Sequence, residues 1–500
     1  MVVRTGHSVN KGHKVEKVLM QRNNLKAPGP VVPGRSYSHA EKMRVITGII
    51  VCILLAALDQ TVVLPAIPQM AASLHGFGHL SWVVSAYLLS TTATTPIYGK
   101  LSDQLGRRTV LVPAIGLFLL ASIFCALADS VPMLIIGRAL QGVGGGALMS
   151  VSQAAVADVV TPRERGKYQG WFAGIWAFAS VAGPILGGFV VQHFSWRWIF
   201  WANLPVGALA MILCIRGLSG IAPSGRRGRI DFAGAGLLLL GVTAILAALS
   251  TGGVDFPWES GPVLGLLALG AVVTGILAWQ QRRASEPLFP GTLMGKAGFR
   301  KIISVSFLNA AAMFAGIFLL PLLLQMVFRA SPAASGLEIM PFLATTTIGA
   351  FTAGQIARRT GRPRAIMAFG LGLSALGMFV LAMAPLNGSL YIPVGISAVA
   401  GIGIGFVMPT SLVSAQSQSG LRDIGAATGI LLLLRSLGGA FGATLGGAVL
   451  AIAPHDLLSG FRLGFFAASG MLALATIIAL QMENFLLRNT LDTAQPADAD

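Results

Sequence analysis

Residues 48–70, GIIVCILLAALDQTVVLPAIPQM, carry one charge, Asp59, in otherwise lipid-like company. An ionisable side chain inside an apolar helix is costly and marks a place where something polar binds or passes. Arg138, in RALQGVGGGA, and Arg435, in LLLLRSLGGAFG, are cations in equally apolar surroundings. An acid that alternates between an apolar setting and the company of an arginine takes up and releases a proton. Bond-making chemistry has no matching set of residues: no nucleophile–base constellation, no His or Cys metal spacing and no Gly-rich nucleotide loop is present. Enzyme activity is therefore not expected, and neither is a cofactor or energy from ATP hydrolysis within the chain. Cys52, Cys125 and Cys214 all fall in apolar runs and read as lone core thiols.

The elements that hold these charges are membrane helices. Of 500 residues 54% are hydrophobic and 11% charged, against about a quarter charged in soluble domains. About 20 apolar residues cross a bilayer, which gives fourteen candidate spans near 45–67, 80–99, 109–128, 131–156, 169–191, 198–216, 231–250, 261–280, 302–326, 337–357, 365–384, 391–413, 424–451 and 461–482. Residues 1–44 hold nine Lys or Arg against two acids and read as a disordered basic cytoplasmic tail that touches anionic headgroups. With spans alternating from an inside start, thirty of the 35 Lys and Arg lie in tails or inner loops. Arg197, Arg329 and Arg462 lie outside. That bias places both termini in the cytoplasm and accounts for the net charge of +17 without nucleic acid.

GKLSDQLGRR (99–108) follows span 2 and GQIARRTGRP (354–363) follows span 10, each with two glycines seven residues apart. Internal symmetry of this kind is a signature of secondary transporters. It divides the chain into an N-terminal six-helix half (45–216), a linker with inserted spans 7 and 8 (217–300), a C-terminal six-helix half (301–484) and a cytoplasmic tail (485–500). Asp59 lies about 22 Å above the inner boundary and about 8 Å below the outer one, by helix rise and core thickness. Arg138 comes about 10 Å down from the outer surface, and Arg435 about 16 Å up from the inner end of span 13. Asp59 and Arg138 thus share a depth, with a salt bridge and a proton site as alternative readings. Glu338, near the outer end of span 10, is a candidate partner for Arg435. Thr61, Tyr87, Gln141, Glu338 and Arg435 are candidates for lining a cavity.

These stretches together resemble the 14-helix drug:proton antiporters of the major facilitator superfamily, over essentially the whole of spans 1–14. LDQTVVLPAIP is similar to that family's acidic helix-1 motif, with Leu64 where the family commonly has Asn. GKLSDQLGRR is similar to its loop motif, RALQGVGGGA to its helix-4 motif and GPILGG (183–188) to its antiporter motif. The resemblance implies an all-α integral membrane protein of the major facilitator fold, with fourteen transmembrane helices. It implies that Asp59 and Arg138 handle protons and that Gly99, Asp103, Gly106, Arg107 and Asp158 latch the cytoplasmic side. Gly183, Pro184, Gly187 and Gly188 would form a helix-5 gate. The expected function is proton-coupled export of lipophilic, often cationic, small molecules by alternating access, as a functional monomer in a bacterial cytoplasmic membrane. Alternatives are a dedicated exporter of one metabolite, siderophore or lipid, and a non-transporting receptor of the same fold. The partners are then the small-molecule substrate, protons and membrane lipids.

Overall fold

A computed structural model describes residues 38–74, 81–220, 231–253, 256–330, 335, 337–384, 389–420, 423–452, 457–484 and 486–487. Among these, helix accounts for every regular element apart from an isolated bridge between Gly252 and Phe256. Helix α1 (His39–Val62) leads through a 3₁₀ turn (Leu64–Ala66) to the short α2 (Ile67–Leu74). The rest of the N-terminal half is α3 (Ser81–Leu105), α4 (Arg107–Ala126), α5 (Val131–Val159), α6 (Pro162–His193) and α7 (Arg197–Gly217). The inserted pair is α8 (Phe232–Thr251) and α9 (Gly261–Gln281). After the short α10 (Gly291–Met294), the second half is α11 (Ala297–Met326), α12 (Met340–Thr360), α13 (Pro363–Met383), α14 (Tyr391–Gln418), α15 (Ile424–Ile452) and α16 (Leu457–Leu480).

Two boundaries differ from expectation for local reasons. Residues 39–44, assigned above to a disordered tail, are the first turns of α1. A capping box sets that start, Ser38 accepting from the Glu41 amide while Glu41 accepts from the Ser38 amide. The expected helix 45–67 breaks after Val62, where Pro65 and Pro68 supply no backbone donor. The remainder of the basic tail, 1–37, and residues 488–500 lie outside the described residues.

Among the described residues, twelve helices are long and apolar enough to cross a membrane. The two other long helices, α3 and α12, are diluted by hydroxyl residues, STTATT in one and ATTT in the other. They are the second helix of each half, so the shortfall is itself a repeated feature.

The halves repeat each other's packing. In the first, α3 and α4 both pack on α5, α4 on α7, and α1 on α5, α6 and α7; in the second, α12 and α13 pack on α14, α13 on α16, and α11 on α14, α15 and α16. The halves meet along two seams, α3 against α15 and α6 against α12. The inserted pair packs on itself and against α3 and α15, outside the first seam. Asp231 fastens it, accepting from the Gly234 amide and from Gln280 and Gln281 at the end of α9, all within 2.8 Å.

All three cysteines are buried, so a single introduced surface cysteine reports topology. With the Lys- and Arg-rich end inside the cell, Glu259→Cys, between α8 and α9, is alkylated by an impermeant maleimide in intact cells. Ser285→Cys, beyond α9, reacts after permeabilisation only. Reaction of both from one side would show that the inserted pair does not cross.

Candidate functional site

Asp59 lies in the last turn of α1, just before the proline break, and is 1% exposed. One carboxylate oxygen accepts from Arg138 of α5 at 2.7 Å; the other accepts from Gln141 at 2.9 Å and from Asn203 of α7 at 2.8 Å. Arg138 also donates to the Gln141 side-chain oxygen at 2.6 Å and to the Val83 carbonyl at 3.2 Å. Its guanidinium lies 4.3 Å from the centre of the Tyr87 ring. Ser122 of α4 accepts from Gln141 and Asn203 and donates to the Phe200 carbonyl. Five helices thus contribute to one dry network. A buried ion pair of this kind is tolerable only because further hydrogen bonds satisfy its remaining lone pairs and protons. The three groups facing the carboxylate are all donors, so a proton placed on Asp59 would set donor against donor.

The second half supplies an internal control. Aligning the repeats on Leu64–Pro65 with Leu320–Pro321, Gly106 with Gly361, Gly142 with Gly401 and Arg197 with Arg462 pairs Asp59 with Ala315, Ser122 with Gly377, Arg138 with Ser397, Gln141 with Ala400 and Asn203 with Ala468. Ala315, Ala400 and Ala468 are buried in the apolar core of that half. The same helix packing is therefore built without charge, and the charged network is an addition to the fold rather than a condition of it.

The expected latch residues come together at the basic end. Arg107 pairs with Asp103 and with Asp158, each at 2.7 Å. Asp103 also accepts from the amides of Gly425 and Ala426, at 2.9 and 2.8 Å, and so caps the first turn of α15 in the other half. Gly99 lets the seam close: a methyl group there would lie 2.2 Å from the Gly425 carbonyl. Gly106 holds φ at 92° and its repeat partner Gly361 at 67°, both in the region that favours glycine. The second seam uses the opposite charge. Arg163 at the start of α6 donates to the carbonyls of Arg358 and Arg359 at the end of α12, a cation on a helix C-terminus. Gly166 and Gly354 meet there as Gly425 and Gly99 do. Among the described residues the hydrogen bonds between the halves, including Gln416 to the Gln153 carbonyl, all lie at this end.

In α6, Gly183 and Gly187 pack on α1, where a methyl group would meet Thr61 and the Val62 carbonyl within 2.3 Å; Gly188 faces open space. Thr61 belongs to this seam, donating to the Ala179 carbonyl, and Pro184 is exposed. Tyr87 and Gln141 belong to the buried network rather than to a cavity wall. Glu338 forms no ion pair with Arg435; the guanidinium instead donates to the Met408 carbonyl and the Ser411 hydroxyl of α14. Ser122, Asn203, Arg163 and Lys100 were not singled out from the sequence. A lone Asn in the apolar run WIFWANLPVG was the available signal for the second. Lys100 lies between Glu286 at 3.5 Å and Asp423 at 3.9 Å.

Two pseudo-symmetric six-helix halves, joined at one end and enclosing a buried ion pair, define a membrane transporter. The chain belongs to the Major Facilitator Superfamily, whose family profile matches residues 49–443 and again 302–488; it is a transporter and not an enzyme. It is 35% identical over 423 residues to the multidrug transporter protein MdtP of Bacillus subtilis (strain 168), covering 84% of this chain and 77% of that one. It is 34% identical over 438 residues to the MFS-type efflux pump LUC4 of Fusarium sp, covering 86% and 77%. The fold matches crystal structures of the human organic anion transporter MFSD10 (TM-score 0.63, 19% identity, 88% and 99% of the two chains) and of the proton:xylose symporter XylE (0.61, 16%, 88% and 95%).

Removing one partner of a buried pair costs about 3–5 kcal/mol. Arg138→Met therefore lowers thermal stability markedly, and adding Asp59→Leu restores most of it, because the second half shows the site packs without charge. Equal melting temperatures for the single and double variants would contradict this. At the latch, Asp103→Asn weakens the α15 cap and shifts the conformational balance by about 1–2 kcal/mol. Spin labels at Thr109 and Gly420 then show a larger population of long distances, and an unchanged distance distribution would reduce Asp103 to a loop residue.

Proposed function

We propose that this protein is a proton-coupled exporter of lipophilic small molecules, working by alternating access as a monomer in a bacterial cytoplasmic membrane. All fourteen long helices cross the bilayer, and both termini lie in the cytoplasm. The observation that carries the reading is the Asp59–Arg138 network, present in one repeat and replaced by alanine, glycine and serine in the other. A fold that packs without these charges has no structural need of them, whereas a proton-driven cycle does. Relatives named as multidrug transporter and efflux pump support export over uptake.

In the cycle, the seams at the basic end keep the cytoplasmic side shut while the far side admits protons and releases substrate. Asp59 takes a proton when one of its donors withdraws, and Arg138 turns toward Gln141 and the Val83 carbonyl, which it already touches. Loss of the ion pair loosens α1 from α5. Movement of α1 is relayed to α6 through the Thr61–Gly183 and Val62–Gly187 contacts, so that this close-packed pair acts as the gate. Opening the basic end then costs the Asp103 and Arg163 helix caps. Each proton moving inward supplies about 2.3 kcal/mol per 100 mV and about 1.4 kcal/mol per pH unit, enough to sustain a gradient of a neutral solute. No cofactor takes part.

Asparagine has nearly the shape of aspartate but does not titrate near neutral pH. Asp59→Asn is expected to insert and fold, to lose uphill export in proteoliposomes under an imposed pH gradient, and to release no proton on substrate addition. Uphill pumping by the stable variant with unchanged proton stoichiometry would assign the coupling to another acid.

A further inference from the structure

Arg435 is the deepest charged side chain of the second half among the described residues, eleven residues into α15 from Ile424, or about 16 Å. Its partners are neutral, the Met408 carbonyl and the Ser411 hydroxyl, and among the described residues no carboxylate lies within ion-pair distance of it. A guanidinium at that depth without a counter-ion is expensive. The repeat register pairs Arg435 with Trp176 of α6 and Met408 with Met149 of α5.

All four residues are half-buried. Met149 emerges between the buried runs 144–148 and 150–152, and Met408 between 403–407 and 409–416. Below them the halves are sealed by the Gly99–Gly425 and Gly166–Gly354 contacts and by Gln416 on the Gln153 carbonyl. Placed on α5, α6, α14 and α15, helices that pack across the halves, their open surface is inferred to line a chamber between the halves above that floor. Three of the four symmetry-related positions are apolar and polarisable; the fourth is a cation. Asp59, by contrast, is sealed inside the first half at 1% exposure and meets nothing in that space.

We propose that this chamber binds amphipathic molecules whose polar end is an organic anion, a carboxylate or sulfonate, seated on Arg435 with the apolar body against Met149, Trp176 and Met408. The inference deepens the proposed export function and rests on it for the route between the halves. A bound anion supplies the counter-ion that the protein withholds, through charge-assisted hydrogen bonds in a poorly hydrated site. The expected preference for cations, drawn from Asp59, is thereby reversed: the acid handles protons and the arginine reads the substrate.

The test is direct binding to the purified full-length protein in phosphatidylcholine nanodiscs, where no lipid anion competes and no pH gradient is needed. The probes are a fluorescent naphthyl carboxylate and its methyl ester, each corrected against empty nanodiscs. The expected result is that the wild type binds the carboxylate at least about tenfold tighter than the ester. Arg435→Gln removes that preference and leaves ester affinity unchanged, while Arg435→Lys keeps part of it. Equal affinities in the wild type would overturn the proposal. So would an Arg435→Gln variant that weakens both probes alike, which would make Arg435 a brace between α15 and α14. Binding of neither probe would remove the chamber itself. Failure of proton coupling is read separately, from the flux of Asp59→Asn, and leaves these affinities untouched.

Discussion

A carboxylate held away from water must be given back, by the protein, the hydrogen bonds that water would have supplied. For Asp59 this takes a guanidinium, two amides and a hydroxyl that orients both amides, drawn from three other helices. That requirement fixes where these side chains must stand in the first half. α5 must present Arg138 and Gln141 one turn apart toward α1, and α4 and α7 must come close enough for Ser122 and Asn203 to complete the set. The glycines of RALQGVGGGA allow it: with a methyl group at Gly142 or Gly144, α5 would strike the backbones of α3 and α4 within 3 Å. The buried polar network and the tight packing of this half share one arrangement of helices.

The two seams between the halves are held in a different way. Apolar contacts alone do little for association between helices in a bilayer, where lipid is as apolar as leucine. The seams rely instead on backbone approach at paired glycines and on charges placed at helix ends. Asp103 sits on the N-terminus of α15 and Arg163 on the C-terminus of α12, so the first half meets the second half's helix macrodipoles with the matching sign at both seams. Such contacts are strong when aligned and fall away within a turn, which suits a joint with two positions.

Much of this was legible beforehand. The all-helical membrane class follows from composition and apolar run length, because both reflect a bilayer constraint that acts residue by residue. The facing of Asp59 and Arg138 was readable as a shared depth. Their polar companions were not: Ser122 and Asn203 are single polar residues in apolar runs, and only tertiary structure brings them to the same oxygen. Asp103 was read with Arg107 and Asp158, its neighbours in motif and depth. Its contact with α15 lies more than three hundred residues away and involves backbone amides, which carry no sequence signature. The start of α1 at His39 was hidden by the surrounding basic residues, although the Ser38–Glu41 pair that sets it was in plain view.

The inserted helices have a bearing on how such a chain could have arisen or could be trimmed. Lys100 lies inside the first glycine motif, and its two carboxylates come from different places: Glu286 from the segment after α9, and Asp423 from the threshold of α15. The inserted pair is thus moored to α3 through Glu286 and packs against both sides of the seam. Excising it to leave a twelve-helix protein would take one carboxylate from Lys100 and strip the apolar cover from α3 and α15 along the same seam. The inserted helices are therefore not a detachable spacer; they form part of the seam's own surroundings, and the two would have to be redesigned together.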